Sequence, residues 1–505
     1  MVKSQLEQQL GKKTVGDGGL SVTTTLDLRV QQIVDKSMDD LFASTWPARA
    51  NFDNGSATMI DSQTGQVLAL RGSRDYYYAD YGAVNSAIAF IQPGSSIKPF
   101  VFSSLFKQRT GTNWGAGSIL ADDAIPQTIY RTDDGKPVAN FDNKFRGAIS
   151  IRSGLAESRN VPAIKAMYIN DKDNGSGDTI KTIRSMGDIS YCTDGVDNQA
   201  GLSASIGGCG VKQIEHANTF ATLARLGVYK PIATILEVKN SQGQIVKQWK
   251  DESTRAVDAQ VAYMVADILS DANARAPSYG GAASQTGLNI PQVKTFAKTG
   301  TSNAGTKSKD LWINSSSPKA TLSVWVGNHD TRAMSQALAS TIGWIVRDIQ
   351  VRSHTEVFAK DGSWKTGDWL QKPTGIQTLT VSGKTDIFPS WYNKNTTTAS
   401  RGTPMVFDKV SRKKATECTP EAARVTINVT EFTDPLTKRT SYSTSSEGYE
   451  PNQEDDVHKC NDTMPFVGSI DYDNDEITVT VTQGTHALQS VEFIVDDETI
   501  GSIPA

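Results

Sequence analysis

The chain has 505 residues, 38% of them hydrophobic and 21% charged, with a formal net charge of -4. The length allows about three domains, the composition is globular rather than disordered or fibrous, and the slight negative charge gives no general attraction to nucleic acid. No apolar run nears the ~18 residues of a membrane span and no secretory leader opens the sequence, so any tether belongs to a segment absent from this chain.

The predicted elements begin with a short polar helix over Val2–Leu10 and a glycine-rich break at Gly16–Gly19. A β-rich stretch, LSVTTTLDL, precedes a helix in RVQQIVDKSMDDLF, where Val30, Ile33, Val34, Met38, Leu41 and Phe42 share one side. SATMIDSQTGQVLAL reads as a hairpin turning at Thr64-Gly65. In QPGSSIKPF, a Pro-Gly pair delivers the chain into a helix starting at Ser95; Pro99 fits its first turn, and Phe100, Val101, Phe102, Leu105 and Phe106 bury the rest. Two further helices are predicted over 151–167 and 211–226. VKTFAKTG and ATLSVWVG are strand-like and separated by a polar loop. Residues 360–425 show little periodicity, whereas from about 426 the period becomes two in VTINVTEF, EITVTVTQ and SVEFIVDD. The fold class is therefore α+β, with a small all-β, sandwich-like domain at the C-terminal end.

Four cysteines, Cys192, Cys209, Cys418 and Cys460, lack metal-binding spacing, and the five histidines (His216, His329, His354, His458, His486) form no i, i+4 pair. Sequential pairing of the cysteines is one of three possible connectivities, and free buried thiols are the alternative. DYDNDE opens like a calcium loop with Asp471, Asp473 and Asp475. Glu476 stands where glycine is needed and Thr482 where the bidentate glutamate belongs, so a solvated acidic turn is expected. No metal and no organic cofactor is predicted.

Three short elements carry chemistry. Ser-x-x-Lys occurs four times, as Ser95/Lys98, Ser104/Lys107, Ser316/Lys319 and Ser411/Lys414. Only the first has a Pro-Gly entry, a flanking proline and an apolar helix behind it; the other three read as surface positions. Placed one turn apart at a helix start, Ser95 and Lys98 suit a nucleophile beside its base. Apolar neighbours disfavour the ammonium form of Lys98. Ser158-Arg159-Asn160 supplies a hydroxyl and an amide able to relay a proton and orient a substrate amide. Lys298-Thr299-Gly300-Thr301 ends a strand-like run, where Gly300 lets a ligand approach the backbone, whereas Lys365-Thr366-Gly367 falls in an irregular region.

In this order, with 63 residues from 95 to 158 and 140 from 158 to 298, the three elements resemble the penicillin-binding transpeptidases and serine β-lactamases. GGLSVTTTLDLRVQ, TMIDSQTGQVLAL, SRDY, QPGSSIKPF, ISIRSGLAESRNVPAIKA, IGGCGVKQIEHANTFATLARL, and AKTGTSN with its later Asp310-Leu311-Trp312 are similar to class A, bifunctional penicillin-binding proteins over residues 18–425. The resemblance implies a transpeptidase fold, a mostly antiparallel sheet flanked by helices, over 51–425 (irregular from about 360). Residues 1–50 become a linker region and 426–505 the β-domain. The glycosyltransferase domain and membrane helix of that class are missing here, which implies a piece of a longer, extracytoplasmic, membrane-anchored protein. By resemblance, Ser95 is the acylated nucleophile, Lys98 its base, and Ser158 the proton carrier. Asn160 holds the acyl side-chain amide, Lys298, Thr299 and Thr301 grip the donor carboxylate beside Gly300, and the N–H groups of Ser95 and Thr301 form the oxyanion hole. The partners implied are peptidoglycan stem peptides ending in D-Ala-D-Ala and β-lactam antibiotics, with no nucleic acid. A β-lactamase or D,D-carboxypeptidase is the nearest alternative. A β-lactamase needs a carboxylate-positioned water, and Glu157 beside Ser158 points away. A non-catalytic β-lactam-sensing or wall-binding module is the other, opposed by the intact Ser95, Lys98 and Lys298.

Overall fold

The computed structural model describes all residues except 132–134, 194–199, 281–285, 306, 336–337, 382–383, 395–398, 475, 486–489 and 505. Asp475 of the acidic turn and His486 therefore lie outside the described residues. The chain divides into two compact units: Met1–Thr398 with Thr433–Arg439, and Ala399–Phe432 with Thr440–Ala505.

A five-stranded antiparallel sheet organises the first unit. Strands β1 (Asn54–Asp61), β2 (Val67–Arg71), β3 (Phe296–Ala304), β4 (Lys307–Ser316) and β5 (Ala320–Gly327) take the order β3-β4-β5-β1-β2. Alternation in the sequence decides which face each residue meets. Ala320, Leu322, Val324 and Val326 of β5, with Leu311 and Ile313 of β4, pack in one cluster with Val30, Ile33, Val34 and Met38 of helix α1 (Leu28–Ala43). Ile342, Ile345, Val346 and Ile349, from the later helix 339–352, complete that layer. Ile60 and Val67 turn to the other side, against Ile214, Ala217 and Ala221 of helix 213–224. The sheet is thus a middle layer between helices. The predicted α+β class with an antiparallel sheet is what the first unit contains, and the predicted helix over Val2–Leu10 and the hairpin at 54–71 are present.

Three expectations need correction. The polar loop expected between VKTFAKTG and ATLSVWVG is mostly strand β4. Its Leu311, Trp312 and Ile313 hold the centre of the sheet, and Asn314, Ser315 and Ser316 are fully buried beside them. The helix predicted to start at Ser95 begins three residues later: a 3-10 turn, Gly94–Ile97, precedes helix α2 (Lys98–Phe106). The single helix expected over 151–167 is two, α3 (Ile151–Ala156) and α4 (Asn160–Asn174), broken at Ser158, which has φ 62°. Proline explains the break. In a continuous helix the ring of Pro162 would strike the carbonyl four residues back, that of Ser158. The chain turns through the left-handed region there and restarts with Pro162 in the first turn.

In the second unit, strands β6 (Ala399–Asp408), β7 (Lys413–Lys414), β8 (Arg424–Thr433), β9 (Thr440–Ser443) and β10 (Glu450–Glu454) form one sheet in the order β9-β8-β6-β7-β10. Strand β6 precedes the expected change of period at 426 and belongs here because it pairs along β8. Hairpins 466–482 and 490–504 follow. Asp471 and Asp473 lie exposed on the first of them. Cys192–Cys209 and Cys418–Cys460 are disulfides, the sequential pairing.

Candidate active site

The turn carrying Ser95 lies against β3, the edge strand of the sheet, and glycines permit the approach. A Cβ on Gly94, whose φ is 51°, would come within 2.1 Å of the Thr301 carbonyl oxygen, and one on Gly300 within 2.2 Å of that of Pro93. Both contacts are with backbone, so a larger residue cannot be absorbed by a side-chain movement. Below the turn, the Ser96 hydroxyl donates to the Pro93 carbonyl at 2.8 Å and bonds His216 Nε2 at 2.8 Å, while His216 Nδ1 bonds Asp188 Oδ2 at 2.8 Å. Gln92 braces it from the side: its carbonyl accepts from Trp312 Nε1 at 3.0 Å and its amide donates to the Gly208 carbonyl at 3.1 Å. Ser95 itself is half-buried, and its carbonyl accepts the N–H of Lys98.

Lys98, the first residue of α2, is completely buried. Its Nζ donates to the Ser158 carbonyl at 2.6 Å and Asn160 Oδ1 at 2.7 Å, with Ser158 Oγ at 3.5 Å. Burial holds its pKa well below the ordinary lysine value, and the charges of Lys298 and Arg159 push the same way. From β3, Lys298 Nζ donates to Ser158 Oγ at 2.7 Å and to the Thr299 carbonyl at 3.0 Å. Burial, then the charge of Arg275, brings Lys298 down to about 7.

The left-handed backbone at Ser158 aims both its carbonyl and its hydroxyl at the two lysines, while the next residue anchors the loop on the opposite side. Arg159, fully buried, donates to Asp122 at 2.8 Å and Asp142 at 2.7 Å. Asn140 joins in, accepting the N–H of Asn160 at 2.8 Å and donating to Asp122 at 2.8 Å. Asn160 Nδ2 donates to the Ala139 carbonyl at 2.8 Å. Glu157 turns away, ion-paired with Arg146 at 2.8 Å and accepting from Ser278 at 3.1 Å.

Lys98, Ser158, Asn160 and Lys298 therefore form one hydrogen-bonded chain, and Gly94, Gly300 and Thr301 bring the Ser95 turn to it. The decoys do not gather. Ser104 and Ser316 are buried rather than on the surface: Ser104 donates to the Val101 carbonyl within α2, and Ser316 lies inside β4. Lys107 pairs with Asp178 and Lys319 with Asp61. Ser411 sits half-buried in the second unit, and Lys365-Thr366-Gly367 forms an exposed turn. A cavity of about 1070 Å³ lined by Asp39, Arg71, Tyr76 and Tyr77 contains none of the candidate residues. Tyr279, whose phenol bonds Thr299 Oγ1 at 2.9 Å, belongs to the site and escaped the sequence reading, as did Arg275, Gln92, His216 and Asp122. Neither Asp122 nor Tyr279 carries a local signal in the sequence.

The family model of the penicillin binding protein transpeptidase domain matches residues 55–349. Penicillin-binding protein 1A/1B of Bacillus subtilis (strain 168) is 25% identical over 369 residues, 70% of this chain and 37% of that one. Penicillin-binding protein 1A of Clostridium tetani (strain Massachusetts / E88) is 25% identical over 393 residues, 75% of this chain and 47% of that one. The chain thus spans less than half the length of these relatives. Among solved structures, PonA1 of Mycobacterium tuberculosis is similar with a TM-score of 0.60 at 20% identity, covering 77% of this chain and 95% of that one. The same protein in complex with penicillin V gives 0.58 at 21% identity, covering 70% of this chain and 91% of that one. Penicillin-binding protein 1A of Haemophilus influenzae gives 0.59 at 16% identity, covering 77% and 75%.

Proposed function

The chain belongs to the family of penicillin-binding protein transpeptidase domains, and from that premise we propose that it is a serine D,D-transpeptidase cross-linking peptidoglycan stem peptides outside the cytoplasm. Among the described residues no helix is long and apolar enough to cross a membrane; membrane attachment through a further segment is part of the proposal. The donor is a stem peptide ending in D-Ala-D-Ala, and β-lactams compete for the same serine.

The observation that carries this reading is the hydrogen bonding of Lys98. A neutral amine has two N–H donors and one lone pair. The Ser158 carbonyl and Asn160 Oδ1 lie at 2.6 and 2.7 Å, with Ser158 Oγ at 3.5 Å; in the proposed scheme the first two take the N–H donors and the lone pair accepts the proton of Ser95. Ser95 Oγ then attacks the carbonyl carbon of the penultimate D-alanine, and the developing oxyanion is met by the N–H groups of Ser95 and Thr301. The proton passes from Lys98 through Ser158 to the departing nitrogen as the bond to the terminal D-alanine breaks. Lys298, charged, grips the terminal carboxylate with the Thr299 and Thr301 hydroxyls, and Gly300 keeps the strand open to it. An amine of a second stem attacks the acyl-Ser95 ester, giving the cross-link and restoring the serine. Asn160 orients Lys98 as well as the donor amide. Fast hydrolysis of the acyl-enzyme, as in a β-lactamase, needs a carboxylate to position water, and the Glu157 carboxylate is engaged by Arg146 and Ser278 instead.

The test is to treat the protein with benzylpenicillin and map the adduct by mass spectrometry. The expected adduct sits on Ser95, survives for many minutes, and is absent in Ser95→Ala. Modification at Ser104, Ser316 or Ser411, or none at all, overturns the reading.

A further inference from the structure

Helix α5 (Ala272–Tyr279) ends inside the site although none of the three motifs lies on it. Two of its residues, Arg275 and Tyr279, stand one turn apart and therefore share a face. Arg275 is buried; its guanidinium donates to the Leu269 carbonyl at 2.6 Å and to the Ala297 carbonyl, next to Lys298, at 3.2 Å. Between them, Ser278 donates to Glu157, the neighbour of Ser158. The helix end is thus fixed both to β3 and to the α3–α4 connection, and the Tyr279 phenol sits at the junction. It bonds Thr299 Oγ1 at 2.9 Å and interacts with Ser158.

We propose, on the footing of the transpeptidase reading, that Tyr279 is a positioning residue for carboxylate recognition: its phenol donates to Thr299 Oγ1 and so fixes the threonine hydroxyl as a donor to the terminal carboxylate of the acyl donor. A threonine hydroxyl has a single hydrogen and rotates freely. With the phenol occupying one lone pair, that hydrogen is directed elsewhere, towards the anion held by Lys298. Either oxygen of this pair can supply the hydrogen, and the proposal assigns it to the phenol. Burial pushes its pKa above the usual tyrosine value, so it stays protonated and able to donate at neutral pH. Tyr279 meets Thr299 and also Ser158; an effect carried by Thr299 appears in binding of the acid, and one carried by Ser158 in the acylation rate.

The test compares wild type, Tyr279→Phe, Thr299→Val and the double variant, using benzylpenicillin and its methyl ester, with apparent binding and acylation rate measured separately. Removing one neutral hydrogen bond should weaken apparent binding of the acid about 3- to 10-fold in Tyr279→Phe. Its acylation rate constant should stay within about twofold, and the ester should show no loss, because it presents no carboxylate. Thr299→Val should show the same acid-only loss, and the double variant no more than the larger single loss. An equal loss for acid and ester, additive losses in the double variant, or no loss in Tyr279→Phe overturns the proposal. Should Tyr279→Phe fail to fold by circular dichroism, Thr299→Val decides: without an acid-only loss there, Tyr279 has nothing to act through. A wild-type protein that takes up no penicillin overturns the transpeptidase reading itself, a separate outcome.

Discussion

Two lysines meet at Ser158, and burial lowers the pKa of both. Lys98 is enclosed, feels the charge of Lys298, and is held well below the ordinary lysine value; burial brings Lys298 to about 7. In the proposed scheme Lys98 acts neutral and Lys298 charged, and Lys298 keeps its charge only below about 7. Acylation by benzylpenicillin, measured as the second-order rate constant, should therefore fall as pH rises above about 7, approaching tenfold per unit. A flat profile from pH 6 to 9 contradicts this. The same group acts on stability in the opposite direction. Its folded pKa lies below the ordinary value of 10.5, so between about 7 and 10.5 the unfolded chain binds more protons and stability rises with pH. The melting temperature of wild type should accordingly rise relative to that of Lys298→Met between pH 7 and 9.

At the scale of elements, the site depends on backbone meeting backbone: the 3-10 turn against β3, with Gly94 and Gly300 at the contact. Gly94→Ala combines a positive φ with a Cβ 2.1 Å from the Thr301 carbonyl oxygen, and should destabilise by about 2–4 kcal/mol. Denaturant titration checks this, and the penicillin adduct on Ser95 should form more slowly in parallel. The glycines, the motif lysines and the apolar α2 were legible because local chemistry demands them: a nucleophile needs a base, and a close approach needs a missing Cβ. The break at Ser158 was legible in principle, since Pro162 forbids a continuous helix, but the apolar periodicity across 151–167 masked it. Strand β4 was hidden by its own polarity. KSKDLWINSS reads as loop until two flanking strands bury Asn314, Ser315 and Ser316, and burial of that kind is a tertiary fact. Tyr279 was out of reach for the same reason. Nineteen residues separate it from Lys298, and only the docking of α5 through Arg275 brings its phenol to Thr299.

Across the whole molecule, the division into units does not follow the chain. Residues Thr433–Arg439 belong to the first unit although 399–432 form part of the second. Leu436 packs with Ile125, Val138, Val161 and Ile164, and Asp434 pairs with Lys165 at 2.7 Å. Val161, Ile164 and Lys165 lie on α4, the helix that Asn160 opens. Leu436→Ala should thus lower the stability of the first unit by about 2–3 kcal/mol, visible as earlier loss of penicillin acylation on heating. An unchanged inactivation temperature contradicts this placement.

That returning segment also sets an order of events during synthesis. The ribosome releases the chain from its N-terminus, so β6 and β8 as far as Phe432 emerge before the last seven-residue piece of the first unit, 433–439. Completing the first unit must wait for a stretch translated after the opening strands of the second. Until then Val161 and Ile164 of α4 lack one of the neighbours that enclose them, Leu436, and that corner of the core stays one buried side chain short while synthesis continues.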